Sequence, residues 1–427
     1  MVGASSGFAQ RPDRTGSRLR GTPARQQLLK RHNLALVLRQ VAASGSLSRA
    51  QLALRTGLTK ATVSTLVDAM IDARLVVENN PERGLIGRPG SPLSLNPQGP
   101  AGLGIEINVD YVSACVLDLT GAVRCRRTVA IDNRLLRPEV VLQRAARTAS
   151  RVWAQAEVAG LNICGLGVGV PGLVDFGGVL HRAPHLLAWQ EVPVAELLAA
   201  MLNRPLRSLY CDNEANFAAV GERWFGQRSD LEDFVFVSGE IGVGAGIVIG
   251  GELFRGVRGL GGELGHVTVD PTGLACSCGA RGCLESVAGL EALLNAAGLP
   301  AQGGIPIPGP AGPVAELLRR ALAGEPVTVR AIERAGEALG LALSAFLNVL
   351  DVPAVVLGGF YAELAPWLIG PVKAELHERL VNNSWSPTEV VVSSLGAEAS
   401  VRGAAGITIK RMIDDPAEWF PEVLAKT

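Results

Sequence analysis

Three of the chain's seven cysteines fall within eight positions, in Cys276-Ser-Cys278-Gly-Ala-Arg-Gly-Cys283, and one of only five histidines, His266, lies ten residues upstream. Three thiolates and one imidazole are the donor set of a closed, four-coordinate structural zinc site. Binding one ion through all four obliges this stretch to fold back on itself. Gly279 and Gly282 lie between the ligands and let neighbouring sulfurs converge. A catalytic zinc fits less well, because four protein ligands leave no open coordination position. The competing reading is a chance cluster of reduced cysteines; the complete ligand count and the interposed glycines weigh against it. Glu263 and Glu285 bracket the loop, so an ion there would also hold a polar binding site in shape. Cys115, Cys125, Cys164 and Cys211 fall in apolar, strand-like segments and read as buried free thiols, so no disulfide framework is implied.

Charge is unevenly divided. Residues 1–97 carry 14 Lys/Arg and 5 Asp/Glu, a net of +9, and residues 98–427 carry a net of −9. A basic head on an acidic body points to a polyanion-binding module joined to something else. Apolar content is high and aromatic content is 4%, which suits an α/β core rich in Ala, Leu, Val and Gly. No apolar run reaches the ~18 residues of a membrane span. The Arg-rich N-terminus lacks the apolar stretch of a signal peptide. A cytoplasmic location with no membrane partner is the expectation.

Residues 1–27 are rich in Gly, Ser, Pro and Arg and read as a disordered basic tail. Residues 28–97 read as three short helices and a two-stranded wing. Leu29–Ala43 is the first helix. Ser48-Arg-Ala-Gln51 is a capping box opening the second, Gly57 marks the turn, and Thr59 caps a third that runs to about Ala73. Val63, Leu66, Val67 and Met70 recur at i, i+3, i+4, i+7, so one face of that helix is core. Ala53, Gly57 and Val63 have helix-turn-helix spacing. Leu75–Glu78 and Leu93–Asn96 make the wing, with Gly87-Arg88-Pro89-Gly90 at its tip. A generic three-helix interaction module is the bland alternative. The basic balance, the turn and the wing together favour a winged helix on double-stranded DNA. Thr59, Lys60, Ala61 and Ser64 would face the major groove, and Arg88, stiffened by Pro89, the minor groove.

From Ala101 the periodicity changes. Strands are expected at 102–108, 111–117, 123–131, 163–170 and 206–211, with a helix at 138–158 and another from Asn213. The order then recurs. Strands at 233–238 and 245–249 surround a Gly-rich turn, a long helix covers 327–350, and a strand at 355–357 ends at Gly358-Gly359. Two lobes, each feeding an antiparallel hairpin into a parallel sheet, imply a cleft with binding residues at the strand ends. The division is 98–212 for the first lobe and 213–427 for the second, whose last helix is expected to pack back on the first.

Four motifs stand in order: Gly-Val-Gly-Val-Pro171-Gly172-Leu-Val-Asp175; Asp212-Asn213-Glu214-Ala215-Asn216; Ser238-Gly-Glu-Ile-Gly242-Val-Gly244-Ala-Gly246; and the 263–285 loop. In this the chain resembles the ROK family, which groups bacterial sugar kinases with sugar-responsive repressors. The resemblance covers about residues 28–412. It implies a two-lobed actin/hexokinase-like (ASKHA) α/β domain behind an α+β winged helix-turn-helix domain, as in xylose-repressor type members. It places zinc ligands at His266, Cys276, Cys278 and Cys283, and sugar-binding groups at Asn213, Glu263, His266 and Glu285. His266 would bind zinc through one ring nitrogen and a sugar hydroxyl through the other.

Departures from the kinase pattern decide the expected activity. Kinases of the family carry an Asp general base where this chain has Glu214; the longer side chain displaces the carboxylate, and ~1 Å errors cost about 10²-fold in rate. Glu214 remains able to hydrogen-bond a sugar hydroxyl. The kinase loop Asp-x-Gly-Gly-Thr-Lys reads here Glu106-Ile-Asn108-Val109-Asp110-Tyr111, without both glycines and the lysine and with an added carboxylate. Without that loop, the turn from Gly242 to Gly246 reads better as a tight β-hairpin than as a phosphate loop. No catalytic residue is assigned. The expected protein is a sugar-responsive transcriptional regulator, most often a repressor. It would take a structural Zn²⁺, a sugar or sugar phosphate effector and a DNA operator, and act as a homodimer or homotetramer. An ATP-dependent sugar kinase with a DNA-binding head is the alternative. Arg182 and His185 are placed near the cleft, where they would serve a phosphate or simply be exposed.

Overall fold

The computed structural model describes residues 23–79, 91–203, 208–228, 230–300 and 312–426. The tail arginines before residue 23, the wing tip with Arg88, and residues 301–311 of the Gly/Pro-rich insert lie outside them.

The head begins with α1 (Pro23–Ser44), six residues earlier than periodicity indicated, followed by α2 (Arg49–Thr56) and α3 (Lys60–Asp72). Ser48 caps α2 reciprocally: its hydroxyl accepts from the Gln51 amide and the Gln51 side chain accepts from the Ser48 amide. Gly57 ends α2 at φ 70°, the left-handed turn that reorients the chain. Thr59 caps α3. Val63, Leu66, Val67 and Met70 are all buried. Strands β1 (Val76–Glu78) and β2 (Leu93–Leu95) pair antiparallel as the wing.

The first lobe carries β3 (Pro100–Ile107), β4 (Tyr111–Asp118), β5 (Val123–Ala130), α4 (Pro138–Val158) and β6 (Asn162–Val170). A small sheet of β7 (Leu173–Val174), β8 (Leu180–Arg182) and β9 (Gln190–Val192) follows, then α5 (Val194–Leu202) and β10 (Ser208–Asn213). The main sheet has order β10-β6-β3-β4-β5, parallel between β10, β6 and β3. Helix α6 (Glu214–Phe225) leads into β11 (Phe234–Gly239), β12 (Val243–Ile249) and β13 (Glu252–Phe254). The metal loop is followed by α7 (Glu285–Ala288), α8 (Leu290–Ala296), α9 (Pro313–Leu322), α10 (Pro326–Leu350), β14 (Ala354–Gly359), α11 (Phe360–Arg379) and β15 (Glu389–Val392). This second sheet has order β13-β12-β11-β14-β15. The chain ends in α12 (Ala399–Asp414), α13 (Pro416–Trp419) and α14 (Pro421–Lys426).

Glycine sets how closely the layers approach. A Cβ at Gly102, Gly104 or Gly167 would overlap α12 backbone carbonyls, so α12 lies flat against β3 and β6 of the first lobe. Gly246 on β12 faces the Ala215 carbonyl, so α6 lies equally close to the second sheet. The two helices then cross backbone to backbone: a Cβ at Gly403 would overlap the Phe217 carbonyl oxygen, and one at Gly221 the Ala399 carbonyl oxygen. Helices α6 and α12 thus form a rigid layer between the lobes.

The head is fused to that layer. Leu34, Val37, Leu38 and Val41 of α1 share one buried cluster with Met412, Ile413, Trp419, Phe420 and Val423. Arg31 bonds Asp415, and Arg39 lies 3.6 Å from Asp414. No described helix is long and apolar enough to cross a membrane.

Candidate functional site

The metal loop is built by short-range backbone bonds. The Cys276 amide donates to Ala280 O at 2.9 Å and the Gly279 amide to Cys276 O at 3.0 Å. Gly279 and Gly282 adopt φ 98° and 69°, and a Cβ at Gly282 would overlap the Asp270 carbonyl. The turn brings the His266 ring and the sulfurs of Cys276, Cys278 and Cys283 together, all ligand atoms within 4.8 Å of one another. Cys276 Sγ lies 3.7 Å from His266 Nδ1, and Cys278 Sγ 3.7 Å from Cys283 Sγ. A tetrahedron with metal–sulfur bonds of ~2.3 Å has sulfur–sulfur edges of about 3.8 Å, so the spacing fits a small four-coordinate ion. The other four cysteines lie on β4, β5, β6 and β10, none in a disulfide; Cys125 is half-exposed and not buried as expected.

This loop forms one wall of the interlobe cleft. Asn213, Glu214, Glu263, His266 and Glu285 all line a single cavity, with Asn108, Arg182, His185 and Glu240. His266 turns Nδ1 to the sulfurs and Nε2 toward Glu263, 3.7 Å away. Glu285 opens α7 and ties the cleft to the loop: it accepts from Ser277 Oγ and the Val243 amide, each at 3.3 Å, and lies 3.2 Å from His185 Nε2. Burial alone would raise its pKa, but the His185 bond and the charges of His185 and His266 outweigh it and hold the carboxyl low. Burial, aided by Glu285, pushes Glu263 up to about 7.

Asn213 has a structural duty as well. Its Oδ1 caps α6 through the Ala215 amide at 2.8 Å, and its Nδ2 donates to Gly172 O at 3.0 Å. Glu214, the first residue of α6, has an unpartnered Oε2. Burial pushes it up to about 8, with Glu106, Glu263 and Asp212 adding to the effect.

The β3–β4 turn, where a kinase would cradle phosphates, is closed on itself. The Asn108 amide donates to Tyr111 O at 2.9 Å and the Val109 amide to Asn108 Oδ1 at 2.6 Å. Tyr111 Oη donates to Glu106 Oε1 at 2.7 Å. Burial pushes both Glu106 and Asp110 up to about 7. The glycines of β12 have a packing role: Gly244 and Gly246 face Ala215 of α6. Sequence reasoning missed Glu240, in the β11–β12 turn. Burial drives its pKa well above the ordinary range, and Glu106, Asp110, Glu214 and Glu363 add to this. Its only sequence signal was its place in the Ser238–Gly246 motif.

On the head, Thr59, Lys60 and Ala61 are exposed at the start of α3 and Ser64 is half-buried one turn on. Thr59 Oγ1 accepts from the Thr62 amide at 3.1 Å, so it works first as a cap. Arg49 crosses behind α3, held 2.8 Å from both Asp68 and Glu78.

Residues 102–411 match the ROK family model and residues 35–84 the MarR family model. The xylose repressor of Caldicellulosiruptor bescii is 30% identical over 409 residues, covering 91% of this chain and 98% of its own. Among solved structures, a ROK family transcriptional regulator described as a homologue of the E. coli MLC protein aligns with TM-score 0.74 at 25% identity, over 93% of this chain and 99% of its own. A ROK family glucokinase from Streptomyces griseus, in complex with glucose and AMPPNP, aligns with TM-score 0.61 at 25% identity, over 72% of this chain and 98% of its own. The kinase likeness stops short of the full chain, whereas the regulators match it nearly end to end. The chain belongs to the ROK family, in the form that joins a two-lobed body to an N-terminal winged helix of MarR type.

Proposed function

We propose that this protein is a cytoplasmic, DNA-binding transcriptional repressor whose hold on its operator responds to a sugar in the interlobe cleft. The observation that carries this reading is the convergence of Asn213, Glu214, Glu263, His266 and Glu285 on one cavity of a body whose core is continuous with a winged helix. Carboxylates, an amide and a metal-fixed imidazole supply the mixed donors and acceptors that a ring of hydroxyls needs. The ion is Zn²⁺, held by His266, Cys276, Cys278 and Cys283, and its role is structural: it fixes the tautomer of His266 and the position of Glu285. A sugar that draws the lobes together moves α6 from its first turn. Because α6 and α12 touch backbone to backbone, α12 moves with it and carries the head. The head acts in a homodimer, since paired half-sites demand two copies at fixed spacing. A sugar shifts DNA affinity only by its differential affinity for the two arrangements.

The test is fluorescence anisotropy on operator DNA selected in vitro from random sequence, with and without D-xylose, D-glucose and N-acetyl-D-glucosamine. One of these sugars is expected to change the dissociation constant at least ~10-fold, within the usual range of allosteric coupling. A constant affinity across the panel removes the reading. Lys60→Ala should weaken binding to all sequences about equally and lower the slope of log K against log salt by about 1, as loss of one phosphate contact does.

The phosphotransferase reading meets a specific obstacle. Glu214 stands at the base position, and the facing turn presents Glu106 and Asp110 where phosphates would lie. No phosphoryl transfer from ATP is expected in a coupled assay with hexoses or pentoses. Glu214→Asp should restore none, because the turn and its carboxylates remain. Turnover in either protein would revive the kinase assignment.

A further inference from the structure

The inner part of the cleft is acidic. Glu214 and Glu240 line the sugar cavity. Asp110, Glu240 and Glu363 line the adjoining cavity toward α11, whose described lining contains no Lys, Arg or His. Glu106 lies behind them, 2% exposed, close enough to Asp110, Glu214 and Glu240 to raise their proton affinities or its own.

A phosphate must be met by cations or by free backbone amides. Several of the amides around this cleft are already bonded to the protein's own oxygens. Those of Asn108 and Val109 are closed within their turn, and that of Ala215 is held by Asn213. The Glu240 amide donates to Gly242 O at 3.0 Å, and the Val243 amide to Glu285. The basic side chains lie at the metal-loop side, and each has a partner there. His185 faces Glu285 at 3.2 Å, Arg182 donates to Ser277 O at 3.2 Å, and His266 Nδ1 belongs to the sulfur cluster.

We infer that the effector of this cleft is an uncharged, unphosphorylated sugar, and that Glu106, Asp110, Glu214 and Glu240 form a carboxylate wall excluding sugar phosphates and nucleotides. The inference rests on the sugar-responsive reading above and narrows it. A phosphate dianion entering the inner cleft would sit against a closely packed, partly ionised group of carboxyls and oppose any further ionisation, and like charges brought together cost several kcal/mol. A polyol carries no such penalty, since carboxyls that hold a proton near neutrality donate as well as accept.

Isothermal titration of the full-length, metal-loaded protein decides the matter with matched pairs: D-glucose and D-glucose 6-phosphate, N-acetyl-D-glucosamine and its 6-phosphate, with D-xylose and ATP alongside. A free sugar is expected to bind, its phosphate at least ~100-fold more weakly, and ATP not at all. The variant carrying Asp110→Asn with Glu240→Gln should narrow that ratio at least ~10-fold by removing two groups that ionise against the phosphate. A phosphate that binds as tightly as its parent sugar overturns the inference while leaving the sugar reading standing. Binding of no sugar and no phosphate overturns both. The wild-type ratio decides the question even where the variant folds poorly.

Discussion

Removing the metal will abolish the sugar response while leaving a folded protein on DNA. Treatment with a strong chelator, or Cys278→Ser, is expected to release one zinc per chain, measured by elemental analysis. Sugar affinity should fall by at least ~100-fold, the upper range seen when a metal site loses its supporting interactions. The cause is geometric. His266 takes its orientation from Nδ1 beside Cys276, and Glu285 is held through Ser277, inside the loop between two of the sulfurs. Without the ion, three thiols packed within 4.8 Å of each other and of the ring have no reason to stay converged. Glu263 and Glu285 then lose their fixed separation. The head is far from this event, because its core joins α12 to α14 and not the loop, so DNA affinity should stay within a few-fold. An apo protein that kept its sugar affinity would show that the loop is merely adjacent to the site. A chelated protein that stayed folded but lost its hold on DNA would instead mark a metal sensor.

Gly403→Ala will lower the melting temperature by about 3 °C and blunt the effect of sugar on DNA binding. The added methyl would overlap the Phe217 carbonyl oxygen and crowd the Gly221 amide. Neither is a flexible side chain, so the helices themselves must separate. Overpacking of this kind costs roughly 3 kcal/mol, at the high end of the usual range, and in a protein of this size about 1 °C accompanies each kcal/mol. Once separated, α6 no longer dictates the position of α12, and cleft closure reaches the head diminished. Gly370→Ala is the control. It lies in α11 with open space where the methyl would go apart from its neighbour Pro371, which offsets the helix-propensity gain, so its effect should stay within about 1 kcal/mol. Equal melting temperatures for the two variants would show that α6 and α12 do not cross this closely in solution.

The parts legible in the sequence share one property: their interactions are short-range. The Ser48–Gln51 capping box closes within four residues, the recognition helix declares its buried face by periodicity, and the metal loop gathers three ligands in eight positions. The strands of both main sheets, except β13 and β15, were readable for the same reason, through alternation and bounding glycines. The small sheet β7–β9 was not, since its strands are two or three residues long and carry no period. Helix α11 was obscured by Pro366 and Pro371 inside it.

The glycines show where local reading ends. Gly242-Val-Gly244-Ala-Gly246 is written the same way whether its backbone cradles a phosphate or turns a hairpin; the antiparallel pairing of β11 with β12 decides for the hairpin, and the approach of Ala215 to Gly244 and Gly246 adds a helix packed on it. Asn213 reads as a sugar ligand or as a cap until Gly172, 41 residues away, is placed beside it. Glu240 was passed over because nothing near it in the chain marks it. It becomes part of a charged wall only when folding brings Glu106, Asp110, Glu214 and Glu363 around it. The sequence by itself determined most of the elements, the Cys/His cluster and the departure from the kinase loop pattern, because each is specified by neighbours a few residues apart. The tertiary structure alone decided the crossing of α6 on α12, the fusion of the head to the C-terminal helices and the acidity of the inner cleft. Each of those depends on backbone and charge contacts between segments up to hundreds of residues apart, which no local pattern encodes.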